Sequence, residues 1–562
     1  MGNTLVGISL GRLVGRTVRC AGAAGAIGLV ALAACSGSTA SQGVVQTTAA
    51  TPATATASVT AATPTTGAAS DSAAPATEVA PTEAVTTQAA AAQGGTVTIG
   101  LDSEPATLDP AANSISLASG SVFSAMYETL MARTPGSDLT NLLAKSLTEA
   151  PDRLSWTLVV RDGVTFHDGT PFDAAAVKFN LERQKASLYN GSALLPLTGI
   201  DVVDATTVTL HLSEPWTALP DALSGIVGVM VSPTAAADAE AFKRAPVGTG
   251  PYRLTEWVPG DKASLVRFDG YWGEKAPLDA IVFKFISVEA ARIAAFDAGE
   301  IDAYTTIIDA TAADAKSKGA VVVNPPPTGY GFSYVNLTKP PLDDLRVRQA
   351  MRLAVDQDAI ADAYQGQGYA DFADSPFYKK SEWWVAPTTA AKYDPDGATA
   401  LIKDYGKPVK ITFKLLAGSQ EIEDSVRATI GYWKDAGIDC ELVLIPDLGT
   451  YIGDVLSGNY DALGFIGTSS GDPDAVTYNL FHTGGSGNYG KYSNPTVDAA
   501  LETGRHSQDL AERKAAYATV QQELRKDIPV LFSSHGSIFI VAKPELKGIG
   551  ESFFFPARTV SR

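Results

Sequence analysis

Residues 36–95 have a composition that cannot fold, and they separate the first 35 residues from the rest of the chain. The stretch is mostly Ala, Thr, Pro, Ser and Gln, and it contains no aromatic residue, no Leu or Ile and no Lys or Arg. Such a composition cannot bury enough apolar surface to offset the entropy lost on folding. We therefore predict a disordered tether with a root-mean-square reach of roughly 40 Å, followed by a folded body that begins at Thr96.

The first 34 residues have the features of an export signal. They carry Arg12, Arg16 and Arg19 but no acidic residue, and the apolar stretch Ala21–Ala34 follows. A basic start and a short apolar run are typical of a secretory signal peptide, and this run is too short to span a membrane comfortably. The alternative is an uncleaved anchor helix. Both interpretations predict that most of the chain lies outside the cytoplasm.

The export signal ends in Leu32-Ala33-Ala34-Cys35. This sequence resembles a bacterial lipobox, in which the cysteine receives diacylglycerol and becomes the first residue of the mature protein. We therefore expect lipidation of Cys35 and anchoring to the cell membrane, at the cell surface or in the periplasm. After cleavage Cys440 would be the one free thiol, and we expect it to be a small buried residue that follows a strand.

Charge and cysteine content exclude several classes of function. The formal net charge is −18, and a strongly acidic protein repels phosphate backbones, so no nucleic acid is expected as a partner. The three cysteines cannot form a disulfide framework, and no two of them form a C-x-x-C pair. No pair of histidines has the spacing of metal ligands. We predict neither a cofactor nor a metal.

Strand-like and helix-like patterns alternate along the body without an equal-length repeat. The clearest strand-like runs are Thr96–Gly100, Trp156–Val160, Thr207–Leu212 and Ile281–Ile286. Helical periodicity occurs in Ser121–Leu130, Phe172–Gln184, Glu289–Ala298, Leu345–Ala354, Glu421–Ala436 and Asp498–Lys526. This alternation favours mixed α/β layers over a solenoid or an all-β sandwich.

A series of short motifs follows in a fixed order through the body. They are Tyr127–Leu130, Leu154–Leu158, Arg161–Phe172, Gly248–Tyr252, Tyr271-Trp272, Ala298–Asp302, Leu345–Ala350 and Tyr492–Pro495. In this order, behind a lipobox and a tether, the series resembles the dipeptide, oligopeptide and nickel family (family 5) of extracellular solute-binding proteins that serve ABC importers. The resemblance covers Thr96 to the C-terminus. Within it, we interpret His167 as a turn or packing residue.

This resemblance implies an α/β fold that is two-lobed and periplasmic-binding-protein-like, of type II and similar to cluster C, with an extra inserted subdomain. The expected boundaries are 1–34 for the signal peptide, 35–95 for the lipidated cysteine and tether, 96–126 with 245–326 and 535–562 for lobe I, 127–244 for the inserted subdomain, and 327–534 for lobe II. Two chain crossings, near Pro326 and Ser534, would then form a hinge that lets the lobes close around a solute.

The segment that corresponds to the family's solute site departs from the family pattern. Peptide-binding members usually place an Asp after a Gly-Trp pair, and its carboxylate holds the α-ammonium group of the peptide. Within Gly464–Asp474 that position falls on Thr468 or Ser469. Loss of such a buried charge partner would weaken the binding of a free N-terminus by roughly 3–5 kcal/mol, unless Asp472 or Asp474 contributes. We expect those two acids to shape the turn instead.

Family position supplies the remaining candidates for contacts with the solute. The full candidate set is Tyr330, Phe332, Tyr334, Phe465, Thr468, Ser469, Asp472 and Asn488. For the aromatic residues and Asn488 the alternative role is packing within the lobe.

The resemblance implies a binding protein without catalytic activity. We expect it to be a monomer that captures a peptide or peptide-like solute and passes it to ABC permease subunits driven by cytoplasmic ATPases. The departure at the site leaves opines, oligosaccharides and metal chelates as alternative solutes. A receptor that signals instead of feeding a transporter is a further alternative.

Three other classes of protein can be weighed from the sequence. Gly467–Gly471 matches the nucleophile-elbow pattern G-x-S-x-G, which would make Ser469 the nucleophile of a secreted hydrolase. Against this, Gly471 and Pro473 would break the helix that must follow the serine. Gly485–Lys491 has the spacing of a P-loop, but Tyr492 replaces the Ser or Thr that would bind Mg²⁺. A structural surface lipoprotein or adhesin would explain the tether but not the motif series.

Overall fold

The computed structural model describes residues 94–562, except 114–115, 135–137, 326–328, 365–370, 389–391, 418–419, 469–470, 537, 551–553 and 555. The predicted signal peptide, Cys35 and nearly all of the predicted tether lie outside the described residues. In the described part, 21 strands and 15 α-helices form. None of these helices combines the length and the apolar character needed to cross a membrane.

The first half of the described chain contains, in chain order, β1 (Thr96–Leu101), α1 (Leu117–Met126), β2 (Glu128–Thr129), β3 (Met131–Arg133), β4 (Leu139–Asn141), β5 (Ala144–Glu149), β6 (Ser155–Val160), α2 (Ala174–Lys185), β7 (Leu197–Val202), β8 (Thr207–Leu212), α3 (Leu219–Ala222), β9 (Val229–Met230), α4 (Pro233–Ala236), α5 (Ala239–Phe242), β10 (Tyr252–Val258), β11 (Lys262–Arg267), β12 (Ala280–Phe285), α6 (Glu289–Asp297), β13 (Ala303–Thr306), α7 (Asp309–Ser317) and β14 (Val321–Val323).

The second half contains β15 (Gly329–Val335), α8 (Leu345–Leu353), α9 (Gln357–Tyr364), β16 (Asp371–Phe372), α10 (Pro395–Tyr405), β17 (Val409–Leu416), α11 (Gln420–Asp435), β18 (Ile438–Ile445), α12 (Leu448–Ser457), β19 (Ala462–Thr468), α13 (Asp474–Phe481), α14 (Pro495–His506), α15 (Leu510–Asp527), β20 (Val530–His535) and β21 (Phe539–Ala542).

A seven-stranded sheet forms from the two ends of the body. Its strand order is β10-β11-β12-β1-β13-β21-β14. β1 lies at the centre and runs parallel to both β12 and β13. Val97, Ile99 and Leu101 of β1 are at most 1% exposed, because a central strand covered on its face must bury its apolar side chains.

A four-stranded antiparallel sheet, in the order β5-β6-β8-β7, forms within residues 127–244, which we call the inserted unit. Along its strands, buried and partly exposed side chains alternate, as is expected of an antiparallel sheet with one covered face. In β8, for example, Val208, Leu210 and Leu212 are buried while the residues between them are partly exposed. This alternation confirms the strands predicted at Trp156–Val160 and Thr207–Leu212.

A six-stranded sheet forms from the stretch between β15 and β20, which we call the six-stranded unit. Its strand order is β16-β20-β15-β19-β17-β18. β17 runs parallel to β18 and β19, whereas β15 runs antiparallel to β19 and β20. The chain passes between the two large sheets twice, from β14 to β15 and from β20 to β21.

The structure corrects two predicted helices and the placement of one cysteine. The run Asp498–Lys526 forms two helices, α14 and α15, because Asp509 accepts hydrogen bonds from the N–H groups of Ala511 and Glu512 and starts a new helix. The helix predicted for Ser121–Leu130 spans Leu117–Met126 instead, since its Ser116 cap lies further back and β2 follows. Cys440 lies half-buried inside β18, not after a strand, and burial raises the pKa of its thiol to about 12.

His167 joins the inserted unit to the loop that enters β10. Its Nδ1 accepts a hydrogen bond from the N–H of Gly248 (3.3 Å), and its Nε2 donates to the carbonyl of Gly250 (2.9 Å). The ring packs edge-on against Phe268, with 5.0 Å between ring centroids. These contacts confirm the packing role predicted for His167. Burial lowers the pKa of the imidazole to about 4, so the ring is neutral at pH 7.

Because His167 is buried in its neutral form, we predict that the protein loses stability in mild acid. The unfolded chain binds a proton near pH 6.5, but the native state binds one only near pH 4, so the free energy of unfolding should fall as pH drops between these values. From pH 7 to pH 5 this residue should account for about 2 kcal/mol. Urea unfolding of the wild type and of His167→Asn at both pH values measures this contribution to the free energy of unfolding. Equal pH dependence in the two proteins would contradict the assignment.

Candidate functional site

Three parallel strands of the seven-stranded sheet end at one common edge. β1, β12 and β13 end at Leu101, Phe285 and Thr306, so the loops that follow lie side by side. In open α/β sheets, ligands bind outside the carboxyl ends of the strands. Two exposed apolar side chains belong to these loops: Val288 is 63% exposed and Ile307 is 57% exposed. This carboxyl edge can therefore offer apolar contact to a ligand.

The six-stranded sheet has an equivalent edge. The parallel strands β17, β18 and β19 end there at Leu416, Ile445 and Thr468. β15 begins at the same edge, where Gly329 pairs with Thr468. The candidate Thr468 is thus the last residue of a strand at this carboxyl edge, whereas the candidate Ser469 lies outside the described residues.

Three candidate aromatic residues lie on one face of β15. Tyr330, Phe332 and Tyr334 alternate with partly exposed residues and are only 1%, 3% and 2% exposed. The ring of Phe465, on β19, lies 5.6 Å from the ring of Phe332 and 5.2 Å from that of Tyr334. Phe332, Tyr334 and Phe465 therefore pack together inside the six-stranded unit.

Tyr330 differs from its neighbours on β15 in the environment of its hydroxyl group. This buried hydroxyl makes no hydrogen bond to any described residue, whereas the hydroxyl of Tyr334 donates to the carbonyl of Gly487 at 3.0 Å. Burial raises the pKa of both tyrosines, so both hydroxyls are neutral. Buried polar groups normally have a partner. The Tyr330 ring lies against Gly467, one residue before the strand end at Thr468, so this hydroxyl without a described partner lies close to that edge.

Asp472 follows the carboxyl edge of β19 and is paired within the protein. Its two carboxylate oxygens accept hydrogen bonds from Nη2 of Arg513, at 2.7 and 2.9 Å. Its backbone N–H donates to the carboxylate of Asp221, in the inserted unit, at 3.0 Å. The carboxylate of this candidate is therefore held by an arginine of its own sheet unit.

Asp474 is also paired, and its side chain is 2% exposed. Nε of Arg505 donates to one oxygen at 2.9 Å, and the indole N–H of Trp216 donates to the other at 3.0 Å. The Arg505 guanidinium also stacks on the ring of Tyr478, 3.3 Å from its centroid. The sequence gives no local signal for these partners, because Arg505 is 31 positions away and Trp216 is 258 positions away.

Asn488 stabilises the loop between α13 and α14. Its amide donates to the carbonyls of His482 and Tyr492, and its oxygen accepts from the N–H of Tyr492. In this loop, which matches the P-loop spacing, the N–H groups of Gly485, Gly487 and Asn488 bond to carbonyls of the chain itself. The loop therefore does not present these N–H groups to a phosphate, as a P-loop would.

The structure also bears on the hydrolase and metal alternatives. The nucleophile elbow requires a helix that begins at the serine, but α13 begins only at Asp474. Among the described residues, no group of three or more His, Cys, Asp or Glu side chains is arranged to hold a metal ion.

Residues 138–488 match the family model of bacterial extracellular solute-binding proteins, family 5. This match covers more than half of the chain. The chain belongs to family 5 of the bacterial extracellular solute-binding proteins. It is thus a substrate-binding protein of ABC transporters, as the ordered motif series predicts.

Individual relatives of this family 5 protein are moderately similar to it. The glutathione-binding protein GsiB of Pectobacterium atrosepticum is 29% identical over 446 residues, which cover 76% of this chain and 86% of GsiB.

Two solved structures share its fold. The binding protein DppA of Helicobacter pylori, in complex with the peptide STSA, has a TM-score of 0.75 and 22% identity over 84% of this chain and 98% of DppA. AgaA of A. tumefaciens R10, in complex with agropinic acid, has a TM-score of 0.71 and 24% identity over 83% of this chain and 98% of AgaA. The family 5 chain thus has the two-lobed α/β fold of type II periplasmic binding proteins, as predicted.

Proposed function

We propose that this family 5 protein captures a peptide or peptide-like solute between two hinged lobes and delivers it to an ABC import permease. The observation that carries the proposal is the pair of carboxyl edges, one on each large sheet, which the two chain crossings between β14 and β15 and between β20 and β21 connect. A solute held between two such edges is removed from water when the lobes close.

The lobes follow the boundaries expected from the sequence. Lobe I takes 96–126, 245–326 and 535–562, with the subdomain 127–244 inserted in it, and lobe II takes 327–534. The strand membership of the three sheets supports these boundaries, with His535 at the end of β20 on the border. Both crossings then lie between lobe I and lobe II and act as the hinge.

The relatives favour a peptide-like solute over a bare ion. GsiB is named as a glutathione-binding protein, and the DppA structure contains a peptide. AgaA, which holds agropinic acid, keeps an opine as the second candidate. In this chain Asp472 and Asp474 are each bonded to an arginine. We therefore infer that polar groups near Thr468, with the hydroxyl of Tyr330, hold the solute in place of a free carboxylate.

We also propose that a lipid anchor fixes the protein to a membrane. Lipid on Cys35 keeps the protein at the outer face of a membrane, and the tether of residues 36–95 lets the two-lobed body turn towards the permease. The protein acts as a monomer, by binding alone, and Ser469 does not act as a nucleophile.

Native mass spectrometry of the full chain, isolated from the cells that make it, tests the solute class. We expect one discrete added mass that is released on denaturation and that fragments as a peptide or a γ-glutamyl peptide. An opine or a sugar would identify the second class of solute and reject the first. The absence of any added mass, together with turnover of an ester that depends on Ser469, would reject solute capture itself.

A matched pair of tyrosine variants tests the site. Tyr330→Phe removes a hydroxyl that has no described partner, so it should weaken solute binding by roughly tenfold while leaving stability unchanged. Tyr334→Phe removes a hydroxyl that bonds to Gly487, so it should lower stability by about 1 kcal/mol without changing affinity. Calorimetric titration and thermal unfolding of both variants separate the two roles. A Tyr330→Phe variant that binds as tightly as the wild type would exclude Tyr330 from the site.

A further inference from the structure

The inserted unit is bonded firmly to the lobe that carries the seven-stranded sheet. Its Arg183 pairs with Asp109, in the loop after β1. Asn190 Nδ2 donates to the carbonyl of Pro110 at 2.9 Å, and the N–H of Leu108 donates to the carbonyl of Lys243 at 3.0 Å. With the His167 contacts, these bonds attach the inserted unit to the lobe of the seven-stranded sheet, so we expect the two to move as one body.

The same inserted unit also contacts the other lobe, through the segment that follows β8. The indole N–H of Trp216 donates to Asp474 at 3.0 Å. Glu214 accepts a hydrogen bond from Nη1 of Arg505 and contacts Nε2 of His506, each at 3.0 Å. The backbone N–H of Thr217 donates to the carbonyl of Arg505 at 3.0 Å.

A second contact joins α3 of the inserted unit to the turn before α13. Asp221 pairs with Arg133 inside the inserted unit, and its other oxygen accepts the backbone N–H of Asp472 at 3.0 Å. Asp472 in turn pairs with Arg513. We call the contacts of Glu214, Trp216, Thr217 and Asp221 with the six-stranded unit the clasp.

The clasp joins the inserted unit to the six-stranded unit near strand ends that line the proposed cleft. Asp472 and Asp474 come shortly after the carboxyl end of β19 at Thr468, so the clasp is on the ligand-binding side of the six-stranded sheet. A rotation that opens the cleft would pull the inserted unit away from these residues. It would also expose the charges of Asp474 and Arg505, whose side chains are 2% and 7% exposed here.

We propose that the clasp forms when the lobes close and that it sets the affinity for the solute, although none of its residues touches the solute. The inference rests on the proposed function. A contact made only in the closed state raises the closed fraction, and apparent affinity rises in proportion to the fraction that is competent to bind. Trp216, Asp474 and Glu214 are then positioning residues for capture.

The test compares variants of the full chain by hydrogen exchange and by titration. Asp474→Asn keeps the shape of the side chain but removes the charge that bonds Arg505 and Trp216. Hydrogen bonds to charged groups contribute enough to change an equilibrium about tenfold. In the solute-free chain, the amides of Thr217 and Asp472 should therefore exchange up to about tenfold faster. The affinity for reduced glutathione or the peptide STSA should fall as well, and the two fold-changes should multiply to about ten, because both depend on the same closed fraction.

Two further variants keep the test decisive. Glu214→Gln changes a partly exposed residue and should give the same two effects, more weakly, if Asp474→Asn does not fold. Trp433→Phe removes an indole N–H bond to the carbonyl of Met351, which lies inside the six-stranded unit. It should lower stability but leave both the exchange at the clasp and the affinity unchanged.

Each outcome then has one meaning. Exchange that does not change in Asp474→Asn, without a fall in affinity, overturns the clasp, whether or not a solute is found. Faster exchange with unchanged or tighter binding shows that the clasp does not set the affinity, which also overturns the proposal. Faster exchange when neither probe binds leaves the clasp in place and counts against the proposed peptide-like solute.

Discussion

Arg348→Met should destabilise the protein by about 3–5 kcal/mol, because one buried guanidinium bonds four backbone carbonyls. Nη1 donates to the carbonyls of Leu342 and Asp343 at 2.8 and 3.2 Å. Nη2 donates to the carbonyl of Asp527 at 2.8 Å, and Nε donates to that of Ile528 at 3.1 Å. The side chain thus ties α8 to the C-terminal end of α15, where helical carbonyls lack partners. Methionine fills similar space but leaves these carbonyls unbonded.

The same helix offers a matched control. Arg346 lies two residues earlier, is 40% exposed, and forms ion pairs with Asp344 and Asp404 at 2.7 Å. Exposed ion pairs contribute little, so Arg346→Met should cost much less stability than Arg348→Met. Urea unfolding followed by far-UV circular dichroism compares the two variants. Equal losses of stability would show that the buried carbonyls find water or other partners when Arg348 is absent.

Local patterns in the sequence predict the elements whose cause is local. The alternation in Thr207–Leu212 predicts β8 with both its ends. Periodicity predicts α6 to within one residue. The error at Asp498–Lys526 has a physical cause: Ser507 and Asp509 bond to the chain as caps, and a helical count over the whole run treats them as ordinary polar positions.

The candidate site is predicted less completely, because its geometry depends on contacts between distant parts of the chain. Residue order alone suggests that Asp472 and Asp474 shape a turn, and the structure adds that each is held by an arginine. Trp216 is the clearest example, because nothing near it in the sequence indicates that its indole bonds to an acid in another sheet unit. Such pairings follow from the fold, so they cannot be read from spacing or composition.

Thr468 and Tyr330 are predicted only in part, because their selection comes from family resemblance and its physical reason comes from the topology. Family resemblance selects both as candidates, and topology gives a physical reason for each, since Thr468 ends a parallel strand and Tyr330 is the second residue of the strand beside it. The apolar residues Val288 and Ile307 were missed, because no motif marks them. The signal that finds them is the sheet order, which brings the ends of β12 and β13 to one edge.

Gly250→Ala should destabilise the protein by about 4 kcal/mol or prevent it from accumulating in folded form. A Cβ atom at this position would lie 2.6 Å from the carbonyl carbon of Met126 and 2.8 Å from the carbonyl oxygen of Ala125. Both are backbone atoms at the end of α1, so neither can rotate away. The N–H of Gly250 also donates to the Met126 carbonyl at 2.9 Å, which fixes the close approach. The motif Gly248–Tyr252 therefore needs glycine for backbone packing, not for phosphate binding.

Gly431→Ala is the matched control for the same chemical change. Gly431 lies inside α11, and a Cβ atom there would meet nothing within 4 Å. Alanine at an exposed helix position should stabilise the chain by about 0.5–1 kcal/mol, because glycine loses more conformational entropy on folding. Thermal unfolding should thus move in opposite directions for the two variants. If Gly250→Ala unfolds at the temperature of the wild type, α1 and the loop before β10 can separate without loss, and the inserted unit is not held as closely to the seven-stranded sheet as its contacts indicate.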